Sequence, residues 1–168
     1  MPATARDMGL RQDRWYDGRR DVIAATAAAL DYLTQLQRRF DGDWLLALAA
    51  YNAGPGRVQQ AIRHNRARGK PVDFWHLPLP AETRGYVPRL IALRAIINHP
   101  ANHHITLPSV PDRRYFSRVD TQGRIDLQVA ARLAGITEEE LKRLNPGILR
   151  LTTPPDRPSI LLIPKTSE

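Results

Sequence analysis

An apolar stretch near the middle of the chain ends in a tyrosine and an asparagine, in "ALAAYNAGPGRV" from Ala47 to Val58. A functional site could use the hydroxyl group of Tyr51 and the amide group of Asn52. A structural explanation is also available: a tyrosine at a helix end can pack its ring and expose its hydroxyl, and an asparagine beside a glycine often supports a helix cap. The two residues by themselves leave both explanations open.

Carboxyl groups that could act as a general acid are few in most of the chain. Between Met1 and Thr137 the only glutamate is Glu82, in "PAETRGYVPR", and every other acidic residue there is an aspartate. Pro80 and Glu82 are suited to open a helix, where the carboxylate would favour the positive end of the helix dipole. Tyr86 follows at i+4 and therefore lies on the same helix face as Glu82. This pattern indicates either a capping glutamate or two polar side chains that point into a groove.

Other kinds of chemistry have little support in the sequence. His99 and His103 are four residues apart, but Pro100 interrupts the helix that would make them neighbours, and no cysteine or HExxH motif is present. We therefore expect no metal site. The sequence has no glycine-rich phosphate loop and no GxSxG motif, so nucleotide binding and serine hydrolysis are unsupported. We expect no cofactor.

The net charge favours a polyanionic partner. The chain has 25 basic and 17 acidic residues, a net charge of +8 and a pI near 10.6, which suits nucleic acid, an anionic glycan or a membrane surface. The segment "RHNRARGK", Arg63 to Lys70, is most simply a solvated helix end, but it could also meet phosphate or carboxylate groups. A nucleic-acid partner rests on charge alone, because no recognition motif or aromatic interleaving accompanies the basic segment. We expect no nucleic-acid binding.

Helices are predicted to position these residues. From Arg20 to Phe40 apolar residues recur every three or four positions, the period of an amphipathic helix. The next helix should begin at Asp43 as its N-cap and end where Gly54 takes a left-handed C-terminal cap. Pro55 then suits the first turn of another helix that runs through about residue 65.

A further helix is predicted after the proline-rich segment "FWHLPLPAE", which itself predicts no regular element. The apolar spacing through Val87, Leu90, Leu93 and Ile97 is helical, and Pro88 should kink this helix or split it in two. From residue 100 to residue 111 the composition shifts to Asn, His, Pro and Ser, which indicates a linker.

A small module is predicted after the linker. It has a strand in "YFSRV", a helix in "IDLQVAARLAG" that Gly135 stops, a helix in "ITEEELKRLN" and a strand in "SILLIP". The second helix carries a capping box, Thr137 with Glu140, and an Ile136 to Leu141 hydrophobic staple. The fold class is therefore mainly α, with a helical domain in residues 1–99, a linker in 100–112 and an α+β module of βααβ order in 113–168.

Several stretches agree in order and spacing with one family. They are "MPATARDMGL", "YDGRRDVIAATAAALDYLTQL", "FDGDWLLALAAYNAGPGRVQQAI", "KPVDFWHLPLPAETRGYVPRLIAL" and "VAARLAGITEEELKRLNPGI" with the closing "SILLIPK". The chain resembles the lytic murein transglycosylases, most closely the membrane-bound type D kind with C-terminal LysM-like modules. The resemblance implies a goose-lysozyme-like (SLT-like) helical domain, here incomplete, followed by a LysM-like module.

The resemblance implies a peptidoglycan lytic transglycosylase. In this family one glutamic acid protonates the glycosidic oxygen between N-acetylmuramic acid and N-acetylglucosamine, and its carboxylate then removes the proton from the muramyl C6 hydroxyl. A 1,6-anhydro ring closes, so a second carboxylate is not required. The family's AYN motif falls on Ala50, Tyr51 and Asn52, its late tyrosine falls on Tyr86, and its glutamate at Glu82 belongs to the cleft wall. We expect Tyr51, Asn52, Glu82 and Tyr86 to bind substrate.

The sequence departs from the family pattern at its start. The family's catalytic glutamate lies in a Glu-Ser motif upstream of the motif that ends in "MPATA", and this sequence begins at the Met1 of that motif. We therefore expect an N-terminally truncated chain with no catalytic residue of its own and the general acid/base glutamate upstream of Met1. Because a positioned general acid contributes about 10² to 10⁴ in rate, the chain alone should be inactive or nearly so. The alternative is a non-catalytic peptidoglycan-binding protein.

Partners and location follow from the family. The expected partner is the glycan strand of peptidoglycan, the expected location is the cell envelope or periplasm, and the full-length form is expected to be membrane-associated and monomeric. "MPATARDMGL" lacks the pattern of a secretion signal. The longest apolar stretch near the middle, Trp44 to Tyr51, is far short of the roughly 20 residues that span a bilayer. We expect the chain of 168 residues to be soluble.

Overall fold

The computed structural model describes residues 2–165. The fold is mainly helical with one small sheet, which confirms the predicted class. Among the described residues the α-helices are α1 (Pro2–Asp7), α2 (Val22–Arg39), α3 (Trp44–Ala53), α4 (Pro55–Arg66), α5 (Ala81–Asn98), α6 (Leu127–Leu133) and α7 (Glu138–Leu144). Two 3-10 helices cover Phe74–His76 and Pro100–His103, and the strands are β1 (Phe116–Asp120) and β2 (Ile160–Pro164).

The chain forms two compact units. The first unit combines the residues up to Ala29 with those from Pro111 onward, and the second unit runs from Leu30 to Val110. The sequence predicted two domains, 1–99 and 113–168, joined by a linker at 100–112. These bounds stay a prediction, because a compact unit of the fold need not coincide with a domain of a protein family.

Apolar side chains of α2, α3, α4 and α5, together with Phe40 and the segment 74–79, form the core of the second unit. Helix α3 is apolar all round because most of it is covered: Ala47, Ala49 and Ala50 are fully buried. Small side chains allow α4 and α5 to approach it closely, and both helices contact it. The buried members of this core are Leu36, Phe40, Leu46, Ala47, Ala49, Ala50, Val58, Ala61, Phe74, Leu77, Leu79 and Val87.

The predicted cap of α3 is present, while the turn after it differs from the prediction. The Asp43 carboxylate accepts hydrogen bonds from the N–H groups of Leu45 and Leu46 at 2.8 and 3.0 Å. Gly54 has a positive φ of 91°, but its ψ of 138° lies outside the left-handed helical region that was predicted. Gly54 is also the N-cap of α4, and an N-cap residue does not have helical dihedrals. One glycine therefore ends one helix and begins the next.

The structure bears on two predictions about the segment after α4. Pro88 was expected to kink the helix or split it in two; it lies inside α5, which continues from Ala81 to Asn98, so the helix is not split and the kink stays a prediction. Within the proline-rich segment, Phe74–His76 forms a 3-10 helix where no regular element was predicted. The Asp73 carboxylate makes this turn possible, because it accepts a hydrogen bond from the Trp75 N–H at 3.0 Å.

The predicted βααβ module is present in the first unit. Strands β1 and β2 pair antiparallel, with Phe116 opposite Pro164 and Asp120 opposite Ile160. The core of the module comes from α6, α7 and β2 and consists of Leu127, Ala130, Ala131, Leu141 and Leu161.

Asn145 ties α7 to strand β2. Its Nδ2 donates to the carbonyl oxygens of Leu141 and Leu162, both at 2.8 Å, and its Oδ1 accepts from the Leu162 N–H at 2.8 Å. One amide therefore satisfies both polar groups of Leu162 and gives the Leu141 carbonyl in α7 a second donor besides the backbone N–H of Asn145.

A short N-terminal segment packs on the module, which the sequence did not indicate. We call residues 13–17 the strap. The Leu149 N–H donates to the Trp15 carbonyl at 2.9 Å, and the Asp17 N–H donates to the Gly147 carbonyl at 2.8 Å. A side chain at position 147 would meet the Tyr16 ring at 3.0 Å, so glycine allows the strap to approach.

Charged groups hold the two ends of the strap. Asp13 accepts a hydrogen bond from Arg157 at 2.7 Å, and Asp17 accepts one from Arg19 at 2.6 Å. Burial alone would raise the pKa of Asp13, but the N–H groups of Trp15 and Tyr16 and the Arg157 charge lower it overall. The hydrogen bond from Arg19 is the main cause of the lowered pKa of Asp17.

Replacement of Asn145 should destabilise the module. Asn145→Ala removes three hydrogen bonds and leaves the polar groups of Leu162 without their side-chain partner, so we expect a loss of about 1–3 kcal/mol in the free energy of unfolding. Urea denaturation measures this loss. Gln128→Ala, at an exposed position of α6, is the control and should change stability by less than about 0.5 kcal/mol. Equal effects of the two substitutions would show that the hydrogen bonds of Asn145 do not stabilise the module.

Acid should weaken the strap. The folded-state pKa of Asp13 lies below the ordinary value of 3.8, so its stabilisation is complete above about pH 4 and is lost as the pH falls through the folded value. Asp13→Asn should therefore lower the free energy of unfolding at pH 6, and its difference from the unmodified chain should shrink as the pH falls below about 4. Asp156→Asn removes an exposed carboxylate that contacts the same Arg157 and should have a much smaller effect. A pH-independent difference for Asp13→Asn would be evidence against this ion pair.

Candidate functional site

The last turn of α3 meets the first turn of α5 through one asparagine. The Asn52 Nδ2 donates to the Glu82 Oε1 at 3.1 Å. The Thr83 hydroxyl donates to the Asn52 Oδ1 at 2.7 Å, and Thr83 is buried with 1% of its surface exposed. Both ends of the amide are therefore engaged, so the orientation of Asn52 is determined by its two partners.

Glu82 is the charged member of this group. It lies in the first turn of α5, after the N-cap residue Pro80, as the sequence indicated. Its side chain is exposed to solvent, whereas Thr83 next to it is buried. An exposed carboxylate beside an amide can accept hydrogen bonds from a hydroxyl or acetamido group of a ligand. The structure thus brings Asn52 and Glu82 together from positions thirty residues apart in the chain.

Two tyrosines accompany the group. Tyr51 precedes Asn52 on α3, is 37% exposed, and its ring centroid lies 5.8 Å from that of Tyr32 at an interplanar angle of 47°. Tyr86 lies one turn after Glu82 on α5, is partly buried and packs on the core of the second unit. Both rings are therefore held by packing, and Tyr51 presents part of its ring to solvent.

Two members of the site were missed by the sequence reasoning. Tyr32 is four residues before the buried Leu36 on α2, so the helical period could have placed it on the same face. Thr83 has no comparable signal: it stands beside an exposed glutamate, and only the packing of α5 against α3 shows that its hydroxyl is buried and directed at Asn52.

The first unit has a groove beside the strap. Its volume is about 690 Å³, and it is lined by Trp15, by the segment 146–152 and by the basic residues Arg20, Arg124, Lys142 and Arg150. No carboxylate is among its lining residues. An indole ring and several cations in one groove suit a ligand that has both an apolar face and negative charge.

Residues 2–165 lack two other kinds of feature, a metal-binding cluster and a membrane-spanning helix. No group of three or more histidine, aspartate or glutamate side chains is placed to hold a metal ion. No helix in this part of the chain has both the length and the apolar character to cross a membrane.

The chain is similar to lytic transglycosylases in two regions. Residues 1–74 match the transglycosylase SLT domain, and residues 115–168 match the LysM-like domain of the lytic transglycosylase MltD. Over 165 residues, 98% of the chain, the sequence is 44% identical to membrane-bound lytic murein transglycosylase D of Escherichia coli strain K12. The chain is therefore similar to the lytic murein transglycosylases over nearly its whole length.

Other relatives match shorter parts. The chain is 47% identical over 73 residues to a putative tributyltin chloride resistance protein of an Alteromonas species, which covers 44% of this chain and 35% of that protein. It is 38% identical over 68 residues to the soluble lytic murein transglycosylase of Salmonella typhimurium, which covers 40% of this chain and 10% of that protein. The chain spans 36% of the length of the type D transglycosylase. The SLT match includes Tyr51 and Asn52, and the type D match also includes Glu82 and Tyr86.

The contact between Asn52 and Thr83 can be tested by a double-mutant cycle. Thr83→Val keeps the shape of the side chain but removes the donor to Asn52, so we expect a loss of about 1 kcal/mol in the free energy of unfolding. Asn52→Ala should cost a similar amount, and the double variant should cost less than the sum by about 0.5 kcal/mol or more. Urea denaturation of all four forms measures this coupling.

Thr26→Val, at an exposed position of α2, is the matched control and should not couple to Asn52→Ala. Strictly additive effects of Thr83→Val and Asn52→Ala would show that the hydrogen bond does not hold the amide.

Proposed function

We propose that this chain carries the substrate-binding part of a peptidoglycan lytic transglycosylase. The reaction cleaves the β-1,4 bond between N-acetylmuramic acid and N-acetylglucosamine and forms 1,6-anhydromuramic acid. The observation that carries the proposal is the hydrogen-bonded group of Asn52, Glu82 and Thr83, which joins the two motif segments of an SLT-family chain. The proposed location is the cell envelope, where this substrate occurs.

The side chains of this group have separate tasks in binding. Thr83 holds the Asn52 amide in one orientation, so its position is determined before the substrate arrives, which reduces the ordering cost of binding. The exposed carboxylate of Glu82 accepts hydrogen bonds from sugar hydroxyl or acetamido groups. Tyr51 on α3 and Tyr86 on α5 supply ring surface and hydroxyl groups.

The general acid is proposed to be a glutamate outside residues 1–168. In the family reaction, one carboxylic acid gives its proton to the leaving O4 of N-acetylglucosamine. The resulting carboxylate takes the proton of the muramyl O6, and the bond from C1 to O6 forms without water. Glu82 is the only glutamate before Thr137, and its contact with Asn52 supports a binding function for it instead.

A second candidate function is glycan binding without turnover. The observation that favours it is the groove lined by Trp15 and four basic residues, at the edge of the LysM-like module. Aromatic rings present an apolar face to the apolar faces of sugars, and the cations suit the carboxylates of peptidoglycan. This groove would keep the chain on its substrate whether or not a catalytic acid is present.

The proposal is tested by digestion of purified peptidoglycan sacculi. We expect residues 1–168 to sediment with sacculi but to release no anhydro-muropeptides, as measured by mass spectrometry. We also make a chimera in which the upstream segment of the Escherichia coli relative, up to the residue that aligns with Met1, is fused ahead of Met1. This chimera should release anhydro-muropeptides. Asn52→Ala in this chimera should lower kcat/KM by about tenfold or more, because a substrate contact made in the transition state is lost.

Gln128→Ala in the chimera is the control and should leave kcat/KM unchanged. Release of anhydro-muropeptides by residues 1–168 alone would place the acid within this chain, and Glu82→Gln would then be the next variant. A folded chimera that releases none would contradict the proposed reaction, and failure of Trp15→Ala to weaken sedimentation of residues 1–168 would contradict the second candidate.

A further inference from the structure

A run of basic residues in the second unit takes no part in the proposed site. Between Asp43 and Asp73 the sequence contains no aspartate or glutamate but five arginine or lysine residues. Four of them, Arg63, Arg66, Arg68 and Lys70, lie in the last turn of α4 and the turn that follows it. All four are exposed. We call these four residues the basic face.

The helix dipole explains only part of this arrangement. Arg63 and Arg66 are in the last turn of α4, where cations interact favourably with the helix C-terminus. Arg68 and Lys70 come after the helix has ended, and Arg68 contacts the His64 ring rather than a carboxylate. Like charges at such short spacing repel one another. A surface of this kind is suited to an anionic partner that offsets the repulsion.

An exposed tryptophan lies in the turn that follows the basic face in the sequence. Trp75 is 62% exposed, and its ring packs edge-on against the buried Phe74 with ring centroids 5.0 Å apart. The nearest acidic residue in sequence, Asp73, accepts hydrogen bonds from the Trp75 N–H and the His76 ring. Trp75 therefore occupies a defined turn, although most of its indole is in contact with solvent.

A buried asparagine holds this turn against the end of α4. Asn65, with 2% of its surface exposed, donates from Nδ2 to the Pro71 carbonyl at 2.7 Å and to the His76 carbonyl at 2.9 Å. Its own carbonyl accepts from the N–H groups of Arg68 and Lys70 at 2.9 and 3.0 Å. The side chain and backbone of one residue thus link the basic face to the turn that carries Trp75.

We propose that the basic face and Trp75 form a surface that binds anionic phospholipid headgroups. Cations next to a bilayer are attracted to acidic headgroups, and an amphipathic indole favours the interface between headgroups and acyl chains. A single-stranded nucleic acid would stack on several aromatic rings along its binding groove, whereas one tryptophan accompanies this basic run. The proposal does not depend on the proposed transglycosylase reaction.

The test is vesicle binding by residues 1–168. Flotation should show binding to vesicles of phosphatidylglycerol and phosphatidylcholine, little binding to phosphatidylcholine alone, and a steep loss of binding with added salt. Arg63→Gln/Arg66→Gln/Arg68→Gln should weaken binding about 100-fold, from roughly fivefold for each cation removed. Brominated acyl chains should quench tryptophan fluorescence, and Trp75→Phe should abolish most of that quenching while Trp15 and Trp44 remain.

Arg113→Gln/Arg114→Gln/Arg132→Gln is the matched control, because it removes the same charge from exposed positions of the first unit. Circular dichroism and urea denaturation confirm that each variant is folded. Equal losses for the two triple variants would overturn the proposal, because net charge alone would explain the binding. No binding to acidic vesicles, or binding without quenching that depends on Trp75, would also overturn it. Binding to sacculi and to duplex DNA is measured in parallel. If binding to one of these polymers, but not to vesicles, is weakened by the substitutions in the basic face, the surface is assigned to that polymer.

Discussion

The burial of α3 is the packing constraint on which the rest of the second unit depends. Ala47, Ala49 and Ala50 are fully covered, and α4 and α5 both contact this helix. Larger side chains at these positions would move the neighbouring helices outward, because a close-packed core accommodates extra volume poorly. Since α5 starts next to the end of α3, the amide of Asn52 reaches the first turn of α5. The candidate site is therefore a consequence of how closely the helices approach.

Three asparagines perform related tasks at places where regular hydrogen bonding ends. Asn52 links two helix ends, Asn65 links the end of α4 to the turn that carries Trp75, and Asn145 links α7 to strand β2. An amide can donate and accept at once, so one side chain can satisfy groups on two different segments. Asn65 and Asn145 bind backbone groups, and buried backbone groups that lack a partner are costly, so these two positions need an amide rather than an apolar side chain of similar size. The partners of Asn52 are the side chains of Glu82 and Thr83. The same chemistry thus stabilises the module and orients the candidate site.

The first unit combines residues from both ends of the chain. The strap pairs with residues 147–149, and the absence of a side chain at Gly147 allows the close approach of Tyr16. Trp15 thereby becomes part of the groove beside the module, together with arginines from the module itself. The SLT-family match ends at residue 74, and the LysM-like match begins at residue 115. This compact unit therefore contains residues from both family domains. Its groove is lined by Trp15 from the SLT-matched residues and by residues of the LysM-like module.

Local signals in the sequence determined helices α2 to α7, the N-caps of α3 and α7 and the βααβ order, but not α1, the two 3-10 helices or the dihedral angles of Gly54. Asp43 and Thr137 stand at N-caps because their side chains accept hydrogen bonds from nearby N–H groups, and such contacts depend only on residues a few positions away. The helical spacing of α5 was also visible, but Leu93 and Ile97 on it are exposed at 58% and 61%, because periodicity describes a helix face and not what covers it.

Contacts between distant segments were decided only by the tertiary structure. The sequence named Tyr51, Asn52, Glu82 and Tyr86, yet the buried hydroxyl of Thr83, the ring of Tyr32 and the strap on the module became apparent only once the helices and turns had packed. The physical reason is that a hydrogen bond between residues thirty or more positions apart depends on the distance and direction between two elements, and local residue patterns carry no information about either.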